Sequence, residues 1–228
     1  MTNSRLLPSL RSAIMPLALV ASPLSAWAWP TLTIPTNFLE ADANLVFSQE
    51  ALDALALVEI QMSPAGTATA SAGQVGAYML PVTSVTIDGL KVAAGKSTGA
   101  ALKFDRFDYD TGADRRVTLG NFRLDFIKRV IHADAFSDNG QRTPDMPVFT
   151  FNEQTPLAIK YRFPLSITAH QVLDKLFLTP EAQGVFNNGL GLPEVVQDVL
   201  RIINFGEIRV NVGVKLRAKP VSTTPYKP

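Results

Sequence analysis

The chain has 228 residues, 46% of them hydrophobic, with 21 Lys and Arg against 20 Asp and Glu and no cysteine. Disulfides, thiolate metal sites, iron–sulfur clusters and thiol catalysis are therefore excluded. A near-neutral charge without a dense Lys/Arg run excludes a nucleic-acid footprint, and no apolar run reaches the roughly 18 residues that a transmembrane helix needs.

Arg5 and Arg11 give the start a positive charge, Ile14 to Ala21 an apolar core, and Ala26-Trp27-Ala28 a small-x-small cleavage site. Residues 1–28 read as a signal peptide, so the protein is expected to be exported, periplasmic or extracellular. Removing them leaves 200 residues with 19 basic and 20 acidic side chains. That is one domain of sandwich or barrel size, taken as residues 29–219. Residues 220–228, with Pro220, Pro225 and Pro228 among Ser and Thr, have little to bury and are expected to be disordered.

Trp29 to Pro35 reads as an extended edge segment. Leu45-Val46-Phe47 ends at Ser48, which is placed to cap a helix carrying Ala51, Leu52, Leu55 and Val58. Ser63-Pro64-Ala65-Gly66 reads as a turn. Short strands follow at Val75 to Leu80, at Val82 to Ile87 before Asp88-Gly89, and near Ala100 to Phe104. Asp105 to Asp114 reads as a polar loop, and Arg115 to Ala135 as a long β run. Inside that run the apolar parity changes from Val117 and Leu119 to Phe122, Leu124 and Phe126, which predicts a bulge near Gly120-Asn121.

Asp138-Asn139-Gly140 is a hairpin signal, with Pro144 and Pro147 lengthening the connection before Val148 to Phe151. Leu157, Ile159, Tyr161, Phe163, Leu165 and Ile167 then alternate with polar or small residues, which predicts one long strand from Leu157 to Thr168. Thr168 with Gln171 three residues later reads as a capping box, and Val172, Leu173, Leu176 and Phe177 fall at helical spacing. The stretch from Val46 to Leu57 parallels that from Ile167 to Leu178, either as a duplicated strand-to-helix corner or because two amphipathic helices both need leucine at helical spacing. Thr179-Pro180-Glu181 starts another helix, which Asn187-Asn188-Gly189 stops. Pro193 opens a further one, closed before Gly206, and Ile208 to Leu216 alternates as a strand. The whole predicts a mainly β protein, an antiparallel sandwich or incomplete barrel with about three short helices.

Chemistry is sparse in this pattern. Asp105, Asp108, Asp110 and Asp114 around Gly112 offer hard oxygen ligands in a foldable loop, a calcium candidate without the glutamate that would close the full motif. A solvated hairpin loop uses the same residues. Gly95-Lys96-Ser97 has the ending of a phosphate loop but lacks its first glycine, and reads as a turn between strands. His132 and Asp134 share a strand face, with no Gly-x-Ser-x-Gly elbow beside them, and read as a cross-strand polar pair. His170 falls in the first turn of its predicted helix, where the dipole disfavours a charged imidazole. Arg115-Arg116, Lys128-Arg129, Arg162, Arg209 and Arg217 suit either a solvated sheet face or an anion-binding one.

Val117-Thr118-Leu119-Gly120-Asn121-Phe122, leading to His132-Ala133-Asp134, resembles the β-rich HtaA domains of secreted haem-uptake proteins. The resemblance covers a short part of the chain and implies a β-rich binding module. The tryptophan-glycine opening and the haem-associated tyrosine of that family have no counterpart, so it assigns no site residue. The functional expectation is an exported, non-catalytic cell-envelope or extracellular binding or assembly module, meeting an envelope component, a protein partner or further copies of itself. The alternative is a carrier of a small apolar or amphipathic ligand, lipid or haem, held between sheet and helices.

Overall fold

The structure, a computed structural model, describes residues 31–88, 91–162 and 166–228, with 156–162, 166–169 and 214 described as backbone alone. The proposed signal peptide lies outside these residues. The protein is mainly β and forms a curled antiparallel half-barrel with three helices among the described residues. In chain order the elements are β1 (Leu32–Pro35), β2 (Leu39–Phe47), α1 (Gln49–Leu57), β3 (Gln61–Gly66), β4 (Thr69–Ala70), β5 (Ala77–Pro81), β6 (Ser84–Asp88) and β7 (Lys91–Asp108). There follow β8 (Ala113–Asp125), β9 (Val130–Ser137), β10 (Arg142–Arg162), β11 (Ser166–Leu178), α2 (Pro180–Leu190), α3 (Glu194–Ile202) and β12 (Gly206–Leu216).

The strands form one sheet in the order β1-β6-β7-β8-β9-β10-β11-β12-β2-β5-β4, with β3 beside the second half of β7. The two ends of this sheet meet along a seam. There Val82 N donates to Ala41 O at 2.8 Å, Thr83 N to Lys96 O at 2.7 Å, and Thr36 N to Thr83 O at 2.9 Å. One run of chain, β5 into β6, thus pairs with β2 and then with β1 and β7. The curl gives the sheet an inside, and apolar side chains of one parity fill it.

Three of the predicted helices form, α1, α2 and α3, the last opened by Pro193 as expected. Ser48 Oγ accepts from Ala51 N at 3.0 Å at the start of α1, and Thr179 Oγ1 accepts from Ala182 N at 3.2 Å at the start of α2. α2 runs past Asn187-Asn188-Gly189 to its left-handed cap at Gly191, φ 60°. Gly189 serves packing instead of termination, since a Cβ there would meet Val117 Cγ2 at 2.4 Å. α2 closes one end of the barrel, with Phe186 edge-on to Phe104 at 4.9 Å between ring centres.

Other expectations are corrected. The predicted strand from Leu157 to Thr168 is a hairpin: Arg162 faces Ser166, and Ala158 faces His170. The predicted helix after Thr168 is strand β11. Its buried residues are Gln171 and Leu173, then Leu176 and Leu178. The pairing shifts between Asn152–Asp174 and Thr150–Phe177, around Lys175, whose φ is 54°. One bulged residue turns a two-residue step into a three-residue step, which imitates helical spacing. The parallel between Val46–Leu57 and Ile167–Leu178 is accordingly one of leucine spacing, with helix in the first and strand in the second.

The same device, correctly predicted, stands at Asn121 in β8 (φ 56°), where the pairing shifts between Gly120–Asp134 and Arg123–His132. The long run from Arg115 to Ala135 is divided into β8 and β9 by a turn at 126–129. Pro64 sits in β3 and not in a turn, and Pro144 and Pro147 lie within β10 beside its register shifts. Proline is tolerated at edges and bulges because its missing N–H costs the ladder nothing there. Gly95-Lys96-Ser97 is also no turn, but the middle of β7 between β6 and β8.

Nor does the carboxy-terminal segment hang free. Val221 N donates to Asn37 O at 3.0 Å and Tyr226 N to Asn121 Oδ1 at 2.7 Å. The Tyr226 ring stands edge-on to Phe136 at 6.1 Å.

Candidate functional site: an apolar cavity in the barrel

At the end of the barrel away from α2 the interior is hollow. A cavity of about 310 Å³, partly open to solvent, is walled by β1, β2, β6, β7, β8, β11, β12 and the seam. Its side chains include Ile34, Leu39, Val82, Val85, Ile87, Val92, Leu124, Phe126, Val210 and Val212. The expected place for a cavity was between sheet and helices. Among the described residues, strands, the seam and the turn at Phe126 line it, and the helices fill the opposite end.

The wall is hollow for a local reason. Gly95 lies between Val85 and Leu124 in the sheet, and a Cβ there would have nothing within 4 Å. Ala43 and Ser97 keep neighbouring positions small. Strand alternation puts Lys96 on the other face from Gly95 and Ser97, so its ammonium group is outside the barrel. Lys96 also borders the cavity, as an exposed residue, and the other polar side chains of the wall are Thr36, Ser97 and Gln171. Thr36 Oγ1 donates to Val82 O at 2.9 Å, and Gln171 Nε2 to Glu153 at 3.4 Å. An apolar body with a few polar groups is what such a site accepts.

The sequence candidates lie elsewhere. Asp105 and Asp108 end β7, Asp110 is at the hairpin tip and Asp114 begins β8. Asp105 is paired with Arg116. Asp108 accepts from Thr111 Oγ1 at 2.7 Å and from Asp110 N at 3.1 Å, and pairs with Arg115 at 3.3 Å. The Thr111 hydroxyl first, then the Asp110 amide and Arg115, hold its carboxyl below the ordinary carboxylate range against the effect of burial. Among the described residues no group of three or more His, Asp and Glu side chains is placed to hold a metal ion. Asp105 and Asp114 instead line an open polar cleft of about 710 Å³ with Arg106, Arg115 and Arg116. Arg106 is committed to the fold, donating to Val58 O at 3.1 Å and to Leu190 O and Gly191 O at 2.9 Å.

His132 and Asp134 share the outer face of β9 but are bridged through another residue. Asp145, at a β10 bulge with φ 47°, donates its N–H to Asp134 Oδ1 at 2.9 Å, while its carbonyl lies 3.0 Å from His132 Nδ1. Arg123 holds the Asp145 carboxylate with two bonds of 3.1 Å. Burial works to raise the Asp134 carboxyl, but the Asp145 amide, Asn121 and Arg142 together hold it below its ordinary value. This network ties three strands on the outside of the barrel. His170 is on β11 and not in a helix turn, with Nδ1 2.6 Å from Asn211 Oδ1. Arg209 and Arg217 are paired with Glu207 and Asp42, so neither offers an uncommitted anion site.

No protein-family profile matches the chain, and no curated protein sequence does. Among solved structures, the C-terminal domain of HtaA from Corynebacterium glutamicum is similar at 11% identity and a TM-score of 0.48, over 78% of this chain and 98% of that one. The likeness is too slight to transfer a ligand or a residue. Among the described residues no helix is long and apolar enough to cross a membrane.

Proposed function

We propose that the protein is an exported binding module that holds a small apolar or amphipathic molecule in the strand-walled cavity, without transforming it. The observation that carries this reading is the cavity itself, about 310 Å³ of interior walled almost wholly by aliphatic and aromatic side chains. At about 30 Å³ per water-sized group, that volume takes roughly ten heavy atoms. A single acyl chain, a short isoprenoid or one edge of a larger flat ring system is of this size. Native mass spectrometry of the mature protein purified from its exporting host, beside a denatured aliquot, tests the reading. A stoichiometric mass released on denaturation supports it and identifies the ligand. A bare protein that also takes up no single-chain amphiphile refutes it.

A second reading rests on α3. Val195, Val199 and Ile202 are exposed along one side of that helix, a stripe at i, i+4 and i+7 suited to another protein surface. A monomer by sedimentation at all concentrations, unchanged by Val199→Asp, removes self-association through this helix.

A further inference from the structure

The carboxy-terminal segment occupies a slot built from three glycines. A Cβ on Gly66 would stand 2.9 Å from Tyr226 Cδ2, one on Gly120 3.1 Å from Tyr226 Cδ1, and one on Gly99 2.8 Å from Thr224 O. Gly66 and Gly99, with φ of 61° and 86°, are required by their own backbone, a Cβ on Gly66 first meeting Gly99 O, and the segment lies over them. Gly120 has no positive φ that would require glycine, so its small size is explained by the ring above it. Phe136 forms a side of the slot, with the Arg142 guanidinium over its ring at 5.6 Å.

The slot also reads main chain. Asn121, held in its bulge, accepts from Tyr226 N at 2.7 Å and donates to Tyr226 O at 3.2 Å. Its Nδ2 also donates to Asp134 at 2.9 Å, and its Oδ1 accepts from Gly99 N at 3.1 Å. A side-chain amide oriented by its neighbours that takes both polar groups of one residue is a peptide-recognition device.

Between Arg217, bonded to Phe38 O, and Tyr226 on β8, the segment crosses the seam. It passes Asn37, beside the cavity wall at Thr36, and then Gly99, two residues from the cavity wall at Ser97. We infer that the slot is a binding site for an extended, proline-flanked aromatic segment, that Tyr226 is its resident occupant, and that docking of this strap holds the seam shut over the cavity. The second half of this inference rests on the carrier reading; the slot itself does not.

The test uses the full mature chain. Tyr226→Ala takes the ring out of the slot and leaves only main-chain bonds for an added peptide to displace, and Gly120→Val evicts the ring by a separate route. A fluorescein-labelled peptide Val221–Pro228 is expected to bind Tyr226→Ala by anisotropy, and to bind neither wild type, whose slot is filled, nor Gly120→Val. The dissociation rate of a bound apolar dye, N-phenyl-1-naphthylamine, is expected to rise by about tenfold in both variants, the factor carried by one aromatic pair of this kind. The unlabelled peptide slows it again in Tyr226→Ala only. Failure of the peptide to bind Tyr226→Ala overturns the slot. Peptide binding with unchanged dye release overturns the strap. A wild type that takes no dye overturns the carrier reading and the strap with it, while the peptide titration still decides the slot.

Discussion

Gly95→Phe tests whether the hollow end of the barrel is the binding site. Gly95 sits in mid-strand, flanked by Val85 and Leu124 of the cavity wall, with open space where its Cβ would be. Replacing glycine in a strand removes a penalty of about 0.5–1 kcal/mol. Burying a Phe side chain contributes about 1.5–3 kcal/mol, and fixing its rotamer costs up to about 1 kcal/mol. The net is a stabilisation of about 2 kcal/mol, together with loss of ligand or dye binding. Urea unfolding followed by far-ultraviolet ellipticity reads the first, and dye titration the second. If the site were close-packed, the same change would overpack it and cost about 1–3 kcal/mol. A destabilised variant, or a stable one that binds dye as wild type does, refutes the reasoning.

Phe104→Ala removes a fully buried ring that meets Phe47 and Phe186, and is expected to cost about 3–5 kcal/mol in denaturant unfolding. Thr179→Ala deletes the α2 cap and the 2.6 Å bond to Pro147 O, at about 1–2 kcal/mol by the same measurement. Lys175→Gly relieves the left-handed backbone of an exposed bulge residue and is expected to stabilise by about 1 kcal/mol. Asp108, Asp125 and Asp134 have folded-state values below the ordinary 3.8. Their stabilisation is therefore complete above the unfolded value and is lost as pH falls through the lower folded values. Stability is expected to be flat from about pH 5 to neutrality and to fall below about pH 4, with a shallower fall in Asp134→Asn; an equal slope in that variant removes Asp134 from the account.

What could be read from the sequence divides along physical lines. The bulge at Gly120-Asn121 was visible because asparagine is among the residues that adopt positive φ readily, and the parity change pointed to it. The bulge at Lys175 was invisible because lysine carries no such signal, and its three-residue step from Leu173 to Leu176 looked like a helix. Ser48 and Thr179 were legible as caps because capping is local chemistry between residues three apart. Pro64, Pro144 and Pro147 misled because a proline says only that a donor is missing, not whether the strand has an edge or bulge there to tolerate it. The docked carboxy-terminal segment has no local sign in the sequence: Tyr226 meets Gly66 and Gly120, and Thr224 meets Gly99, each more than a hundred residues away. The cavity is likewise a product of closure, its wall gathered from Ile34 to Val212.

The two ends of the barrel are packed on opposite plans. Around α2, Phe47, Phe104, Phe149, Phe186 and Phe205 interlock with ring centres 4.9 to 6.5 Å apart. At the other end Gly95, Ala43 and Ser97 leave the interior unfilled. An empty cavity costs about 24 cal/mol for each Å³, so 310 Å³ left dry sets an upper bound of about 7 kcal/mol, as large as the whole stability of many domains. Water relieves this poorly, because each buried molecule needs two to four polar partners and, beside the exposed Lys96, the wall's polar side chains are Thr36, Ser97 and Gln171. On the proposed carrier reading an apolar ligand relieves this cost, which couples binding to folding. A ligand at a hundred times its Kd adds about 2.7 kcal/mol to the stability of the chain. The protein taken from its host with ligand in place should therefore unfold at higher urea than the same protein stripped and refolded, and Gly95→Phe should close that gap by occupying the space itself.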